Sequence, residues 1–166
     1  MIRRRLMPQP AAADVVTTGP ANACADIDLF ARTLWGEAGG ESVRGIEALA
    51  AVVMNRAALL PGRSVEDSCR SFACWSGDNP SRERMLGLKA AAQGGTASAA
   101  ELLFTTCLRI ARRAVAGLLE DPTGGATLYH DRQDLPDWTS GREPAAKIGN
   151  RLFYAGPMGT SPMVSP

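Results

Sequence analysis

The chain has a single histidine, His130, among 166 residues, and neither a paired CxxC nor an HExxH occurs. The ligand patterns of a zinc site are therefore missing, and no metal or other cofactor is expected. Charge of one sign is also missing: 18 Lys and Arg face 17 Asp and Glu, a formal net charge of +1. Without a large field, nucleic acid is disfavoured as a partner. No run approaches the roughly 18 uninterrupted apolar residues of a membrane helix, so stable membrane insertion is not expected. The amino terminus, "MIRRRLMPQPAAADVVTTGP", opens with three arginines, but Pro8, Pro10 and Asp14 interrupt every candidate h-region of a secretory signal. A product synthesised in the cytoplasm, soluble and without a Sec signal, is the expectation. Aromatic residues make up only 5%, yet Trp35, Trp75 and Trp138 stand in separate segments. That spread suits a cleft lined from several segments and suits three core tryptophans equally well.

What is present points to one domain. A chain this long, 45% hydrophobic, buries a single core, and a monomer is favoured. Pro, Gly and Ser bias marks a flexible leader over 1–23 and a flexible tail over 156–166, leaving 24–155 as the folded unit. Cys24, Cys69, Cys74 and Cys107 allow three complete pairings and no choice among them. Cys69 and Cys74 are close enough for a small bridged loop, but without a signal peptide free buried thiols are the default, and disulfides are expected only in an oxidising compartment.

Apolar periodicity predicts a helix from Asp26 through Ile27, Phe30, Leu34, Trp35 and Ala38, stopped by Gly39 and Gly40. Ser42 caps a second helix, from Val43 to about Leu60, whose "ALAAVVMNR" is apolar on most of its circumference and so central to the fold. A loop holding Cys69, Cys74 and Trp75 follows. Pro80 behind Asn79 opens a short helix to about Ala92. A long helix from about Ala99 to Leu119 puts Leu103, Cys107, Ile110, Ala114 and Leu118 on one face and turns Arg109, Arg112 and Arg113 mostly away. Beyond Asp121, "ATLYHD" and "AKIGNRLFY" read as short strands joined by a loop. The fold class is α+β, mainly α, with a small antiparallel sheet near the C-terminus.

Within "LWGEAGGES", Glu37 lies about 80° around the helix from Ile27, at the border of the buried face. A carboxyl group there is partly desolvated, which favours the protonated form that a general acid needs. The two glycines that follow let a bulky ligand approach the backbone. The blander reading is a glutamate paired with an arginine such as Arg44. Asn55 is polar in an apolar helix, and a hydrogen bond holding the helix end is its simplest role.

"ARTLWGEAGGES", "GIEALAAVVMNRA", "DPTGGATLYHD" and "KIGNRLFYA" together resemble the cell-wall hydrolase family of the spore-cortex lytic enzymes SleB and CwlJ, from about Leu29 to Tyr154. The resemblance implies a lysozyme-like, lytic-transglycosylase-like domain whose essential acid is Glu37. It places Glu41, Tyr129 and His130 near the cleft, in substrate binding or in support of Glu37. A structural role for His130 is an equal reading. Trp75 and Trp138 offer flat faces to sugar rings, or pack in the core. The chain departs from the family at Gly39, often an arginine, at Arg151, often a histidine, and in a shorter segment ahead of "FACWS".

The implied function is peptidoglycan degradation at the MurNAc–GlcNAc glycosidic bond, in the periplasm or outside the cell. Ordinary glycosidases need two carboxylates, and only Asp121 and Asp131 offer a second one. A lytic transglycosylase does without it, because the sugar's own 6-hydroxyl attacks while Glu37 serves as acid and then as base. A leader without an h-region favours delivery outside the general secretory pathway, as for a phage-like endolysin. Two alternatives are a non-catalytic wall-binding or assembly protein of the same fold, and a peptidoglycan amidase or a cysteine peptidase using Cys74 with His130.

Overall fold

The computed structural model describes residues 20–156, with side chains from Asp26 onward. The leader expected over 1–23 and the tail over 156–166 fall for the most part outside these residues. Among the described residues five α-helices precede a small sheet: α1 (Pro20–Ala38), α2 (Val43–Leu59), α3 (Val65–Arg70), α4 (Arg82–Leu86) and α5 (Ala99–Val115). Strands β1 (Leu128–Asp131), β2 (Ala146–Ile148) and β3 (Arg151–Tyr154) follow. The fold is α+β and mainly α, with the three strands antiparallel in the order β1-β3-β2.

The core forms around α2. Ala48, Leu49, Ala50, Ala51, Val52, Val53 and Met54 are all buried, because this helix is apolar on nearly every side and must be enclosed by its neighbours. Phe30, Ala31, Leu34 and Ala38 of α1 and Phe104, Cys107, Ile110, Ala111 and Ala114 of α5 close over it. Asn55, also buried, donates from Nδ2 to Asp121 Oδ2 at 3.2 Å and to the Ala126 carbonyl at 2.9 Å. It ties α2 to the loop that leads into β1, so the sheet inherits its position from the central helix.

Several elements differ from the sequence reading. The segment around Cys69 contains helix α3, whose Ser64 and Asp67 form a reciprocal capping box, and a 3₁₀ turn over Ala73–Trp75. Helix α4 ends at Leu86, well short of Ala92, because the Arg32 guanidinium takes the carbonyls of Met85 and Leu86 at 2.5 and 3.0 Å and that of Leu88 at 3.3 Å. The chain then leaves the helix and buries Leu88. Helix α5 stops at Val115. Gly117 adopts φ +69, and the amides of Gly117 and Leu118 bond back to Ala114 and Arg113 at 2.9 and 2.8 Å, a Schellman stop. Leu118, read as core, is thereby 66% exposed.

"AKIGNRLFY" forms two strands and not one. Gly149, at φ +57, turns the chain with Asn150, and Ile148 pairs with Arg151 across the hairpin. Cys69, Cys74 and Cys107 are free, buried thiols, in line with the default reading, and Cys69 and Cys74 form no bridged loop.

Candidate active site

Thr33 and Glu37 stand one turn apart on α1 and both face the 3₁₀ turn. The Trp75 indole N–H donates to Thr33 Oγ1 at 2.9 Å, and the Cys74 backbone amide donates to Glu37 Oε1 at 3.0 Å. Between them lies Gly36, where a Cβ would stand 2.7 Å from Cys74 Cβ and 2.9 Å from Met85 Sδ. Any side chain there would push the turn away from the helix, so the amide reaches Glu37 because position 36 is glycine. After the buried Ala38, Gly39 and Gly40 take φ +50 and +84. The helix ends in an exposed turn whose two glycines carry no side chains, and the Arg151 guanidinium lies 3.6 Å from where a Gly39 Cβ would stand.

The other carboxylate oxygen, Oε2, accepts a short hydrogen bond from the Tyr129 hydroxyl. β1 supplies that hydroxyl, and strand alternation puts Tyr129 and Asp131 on one face of the sheet with their partners Phe153 and Arg151. Phe72 stacks on the Tyr129 ring with centroids 6.2 Å apart, and Phe153 lies at 6.0 Å. Burial, and then the Glu37 carboxylate itself, push the Tyr129 phenol well above its ordinary range. It therefore stays a donor, and Glu37 lies between two hydrogen-bond donors, the Tyr129 hydroxyl and the Cys74 amide.

Two arginines frame this pair. Arg56 of α2 donates from Nε to the Thr127 carbonyl at 2.8 Å and lies 4.3 Å over Phe72. Burial pulls its guanidinium below the usual range, while Tyr129 and Glu37 act in the opposite sense. Arg151 of β3 bonds from Nε to Asp131 Oδ1 at 2.9 Å and stands 4.0 Å from Glu41 Oε1 and 5.0 Å from the Tyr129 centroid. The Glu41 side chain is only 7% exposed and accepts the Asn150 amide at 3.2 Å. A Cβ at Gly149 would lie 2.0 Å from its Oε2 and one at Gly45 would lie 2.6 Å away. Two glycines thus make room for a carboxylate that is used inside the protein.

The sequence candidates separate into two groups. Glu37 and Tyr129 touch, Glu41 joins them through Arg151, and Trp75 is next in the chain to the Cys74 amide that caps Glu37. His130 lies on the opposite face of the sheet from Tyr129. Its Nδ1 is 2.8 Å from the Asp131 carbonyl and its Nε2 is 3.2 Å from the Tyr154 hydroxyl, and Trp138 packs edge-on against its ring at 5.7 Å. Asp121 is buried and takes four bonds, from the Thr123 amide and hydroxyl, the Gly125 amide and Asn55. Asp131 remains half exposed beside Arg151. The Cys74 thiol is buried, and desolvation together with the Glu37 carboxylate pushes it far above the range of a reactive thiol.

Sequence reasoning gave no role to Arg56, which closes the "VVMNR" helix, and treated Arg151 only as a departure from a family pattern. Both were visible as residues. The Cys74 amide carried no signal at all, because a backbone donor looks the same in every sequence.

A family model described as Cell Wall Hydrolase matches residues 40–154, starting three residues after Glu37. A spore cortex-lytic enzyme of Halalkalibacterium halodurans is 33% identical over 131 residues, a stretch covering 77% of this chain and 34% of that protein. The chain thus spans about a third of that curated relative. The catalytic domain of the Bacillus cereus SleB protein superposes with a TM-score of 0.52 at 25% identity, over 78% of this chain and 88% of that one. The catalytic domain of the germination-specific lytic transglycosylase SleB from Bacillus anthracis gives 0.54 at 27% identity, over 78% and 93%.

Proposed function

This chain belongs to the cell wall hydrolase family, and from that premise we propose that it cleaves the MurNAc–GlcNAc bond of peptidoglycan as a lytic transglycosylase with Glu37 as acid and base. The observation that carries the reading is the setting of Glu37. It is half-buried at a helix end, held by Tyr129 and the Cys74 amide, with exposed glycines at positions 39 and 40. Both donors fix the carboxyl group where a proton must leave and return.

The proposed reaction has two steps. Protonated Glu37 gives its proton to the glycosidic oxygen as the C1–O bond breaks and positive charge develops on the MurNAc ring. The carboxylate, now matched by its two donors, accepts the proton of the 6-hydroxyl as that oxygen bonds to C1. A 1,6-anhydro ring results, and no water is consumed. A single-carboxylate route is favoured because Asp121 is saturated by structural hydrogen bonds and Asp131 is paired with Arg151. Trp75, partly exposed beside the capping amide, is proposed to offer a face to a sugar ring.

The peptidase alternative needs a thiolate near an imidazole. Cys74 is buried with its thiol pushed up, and both nitrogens of His130 have partners, so no observation favours it.

Mass spectrometry of fragments released from purified peptidoglycan tests the proposal. Wild-type protein is expected to release anhydro-muramyl fragments, each lighter by one water than a hydrolytic product. Glu37→Gln is expected to lose at least the roughly 10²- to 10⁴-fold of general acid catalysis while still folding, its unfolding temperature somewhat lowered because the amide NH₂ replaces one of two oxygens that accept hydrogen bonds. Reducing-end fragments would instead identify a muramidase, and full activity in Glu37→Gln would overturn the assignment.

A further inference from the structure

Arg151 is 8% exposed, yet its Nη1 is buried with no hydrogen-bond partner among the described residues. A guanidinium carries five N–H donors and is ordinarily satisfied when enclosed. Its bonding alone does not explain why an arginine stands here. Its position does. Nε is held by Asp131 at 2.9 Å, Glu41 approaches to 4.0 Å, and the guanidinium carbon faces the Tyr129 ring at 5.0 Å. Asp131 comes from the same strand as Tyr129, and Glu41 follows Glu37 by four residues beyond the helix end. The cation is thus anchored to both segments that supply the Glu37–Tyr129 hydrogen bond.

We propose that Arg151 is a positioning residue for the Glu37 acid, acting through Tyr129: its cation holds the phenol ring and strengthens the hydroxyl as a donor to the Glu37 carboxylate. The physical reason is twofold. A cation near an aromatic ring is attracted by the ring's quadrupole, most strongly where water is excluded. Positive charge close to a phenol also favours negative charge on its oxygen, so the O–H becomes a better donor. Burial and Glu37 raise the Tyr129 phenol, and Arg151 and Arg56 oppose them. The charged or titratable groups facing the pair are Arg56 from α2, the Cys74 thiol from the 3₁₀ turn, Asp131 on β1, Arg151 on β3 and Glu41 after α1. Only Arg151 and Arg56 are cations. The proposal rests on the assignment of Glu37 as the acid.

The test is a set of full-length variants, R151Q, R151K, Y129F, R151Q/Y129F and E37Q, assayed for kcat, KM and pH profile on purified peptidoglycan, with phenol ionisation followed by ultraviolet titration. R151Q is expected to lower kcat by roughly ten- to thirty-fold, the scale of a desolvated cation–π contact, with KM unchanged. The alkaline limb of its profile moves to higher pH, and tyrosine ionisation moves up as well. R151K keeps the charge and retains the wild-type limb. R151Q/Y129F loses no more than Y129F alone, because the coupling runs through the phenol.

A wild-type profile and kcat in R151Q with only a lowered unfolding temperature would mean a structural staple and would overturn the proposal. A raised KM at unchanged kcat would mean a direct substrate contact and would overturn it too, as would losses that multiply in the double variant. Full activity in E37Q removes the acid assignment and this proposal with it. An inactive E37Q beside an unshifted R151Q removes the proposal alone.

Discussion

Gly36 and Cys74 pack so closely that a Cβ on Gly36 would lie 2.7 Å from Cys74 Cβ. The contact sets the distance between α1 and the 3₁₀ turn, and with it the 3.0 Å hydrogen bond from the Cys74 amide to Glu37. Gly36→Ala is therefore expected to affect both stability and chemistry. Overpacking of a filled site costs about 1–3 kcal/mol. Displacing a donor from a carboxylate removes a charge-assisted bond worth a further 1.5–3 kcal/mol or so. Thermal unfolding and a peptidoglycan clearing assay check the two effects separately. Wild-type activity in a folded Gly36→Ala protein would show that the amide does not serve Glu37.

Cys74→Ala should behave differently, because the donor at that position belongs to the backbone. The substitution removes a buried thiol and leaves the amide in place, so about 1 kcal/mol of stability is lost and clearing activity stays within a few-fold of wild type. Alkylating reagents should likewise leave native activity intact, since the thiol is buried and pushed up out of its reactive range. Inactivation by iodoacetamide in step with modification of Cys74 would revive the thiol mechanism.

Asp121→Asn is expected to destabilise the fold without touching the chemistry. Oδ1 accepts from the Thr123 amide at 2.8 Å and hydroxyl at 2.6 Å, and Oδ2 accepts from the Gly125 amide at 2.8 Å and Asn55 at 3.2 Å. An amide NH₂ at either position meets donors, a loss on the order of 2–4 kcal/mol. Urea unfolding measures the loss, and kcat per folded molecule should stay at the wild-type value. A large fall in kcat with unchanged stability would make Asp121 a second catalytic carboxylate.

Stability should decline in alkali. Burial pushes the Cys69 and Cys107 thiols up to about 12, whereas an exposed thiol ionises near 8.5 or so. The native state holds these protons more tightly than the unfolded chain. Their contribution is therefore complete below about pH 8.5 and is lost as pH rises toward 12, by up to about 1.4 kcal/mol per unit for each thiol. Tyr129, also raised, adds to the decline above about pH 10. Urea midpoints under reducing conditions at about pH 8 and about pH 10.5 should differ clearly. Equal midpoints would show that these groups do not ionise on unfolding.

Much of the architecture is written locally. The apolar circumference of "ALAAVVMNR" requires α2 to be central, and the Ser42 cap and the glycines after Ala38 set where the helices begin and end. Periodicity placed Glu37 at the edge of a buried face, and the resemblance of "LWGEAGGES" and the later blocks to the cell-wall hydrolases singled it out as the acid. Other local signals are equally short in range: the Ser64–Asp67 capping box of α3, Gly117 as the stop of α5, and Gly149-Asn150 as a hairpin turn. Period and turn chemistry act over a few residues, so a linear reading can reach them.

The site itself was decided by approach between distant segments. Nothing near Arg32 in sequence announces that its guanidinium will cap α4 more than fifty residues away, and Gly36 matters only because Cys74 comes to rest against it. Strand register put Tyr129 on the face toward Glu37 and turned its neighbour His130 to the reverse face with Trp138. A shift of one residue would have exchanged them. Residue types and periods determined which groups were able to do chemistry and which helices to bury, while pairing and close packing decided which of those groups meet.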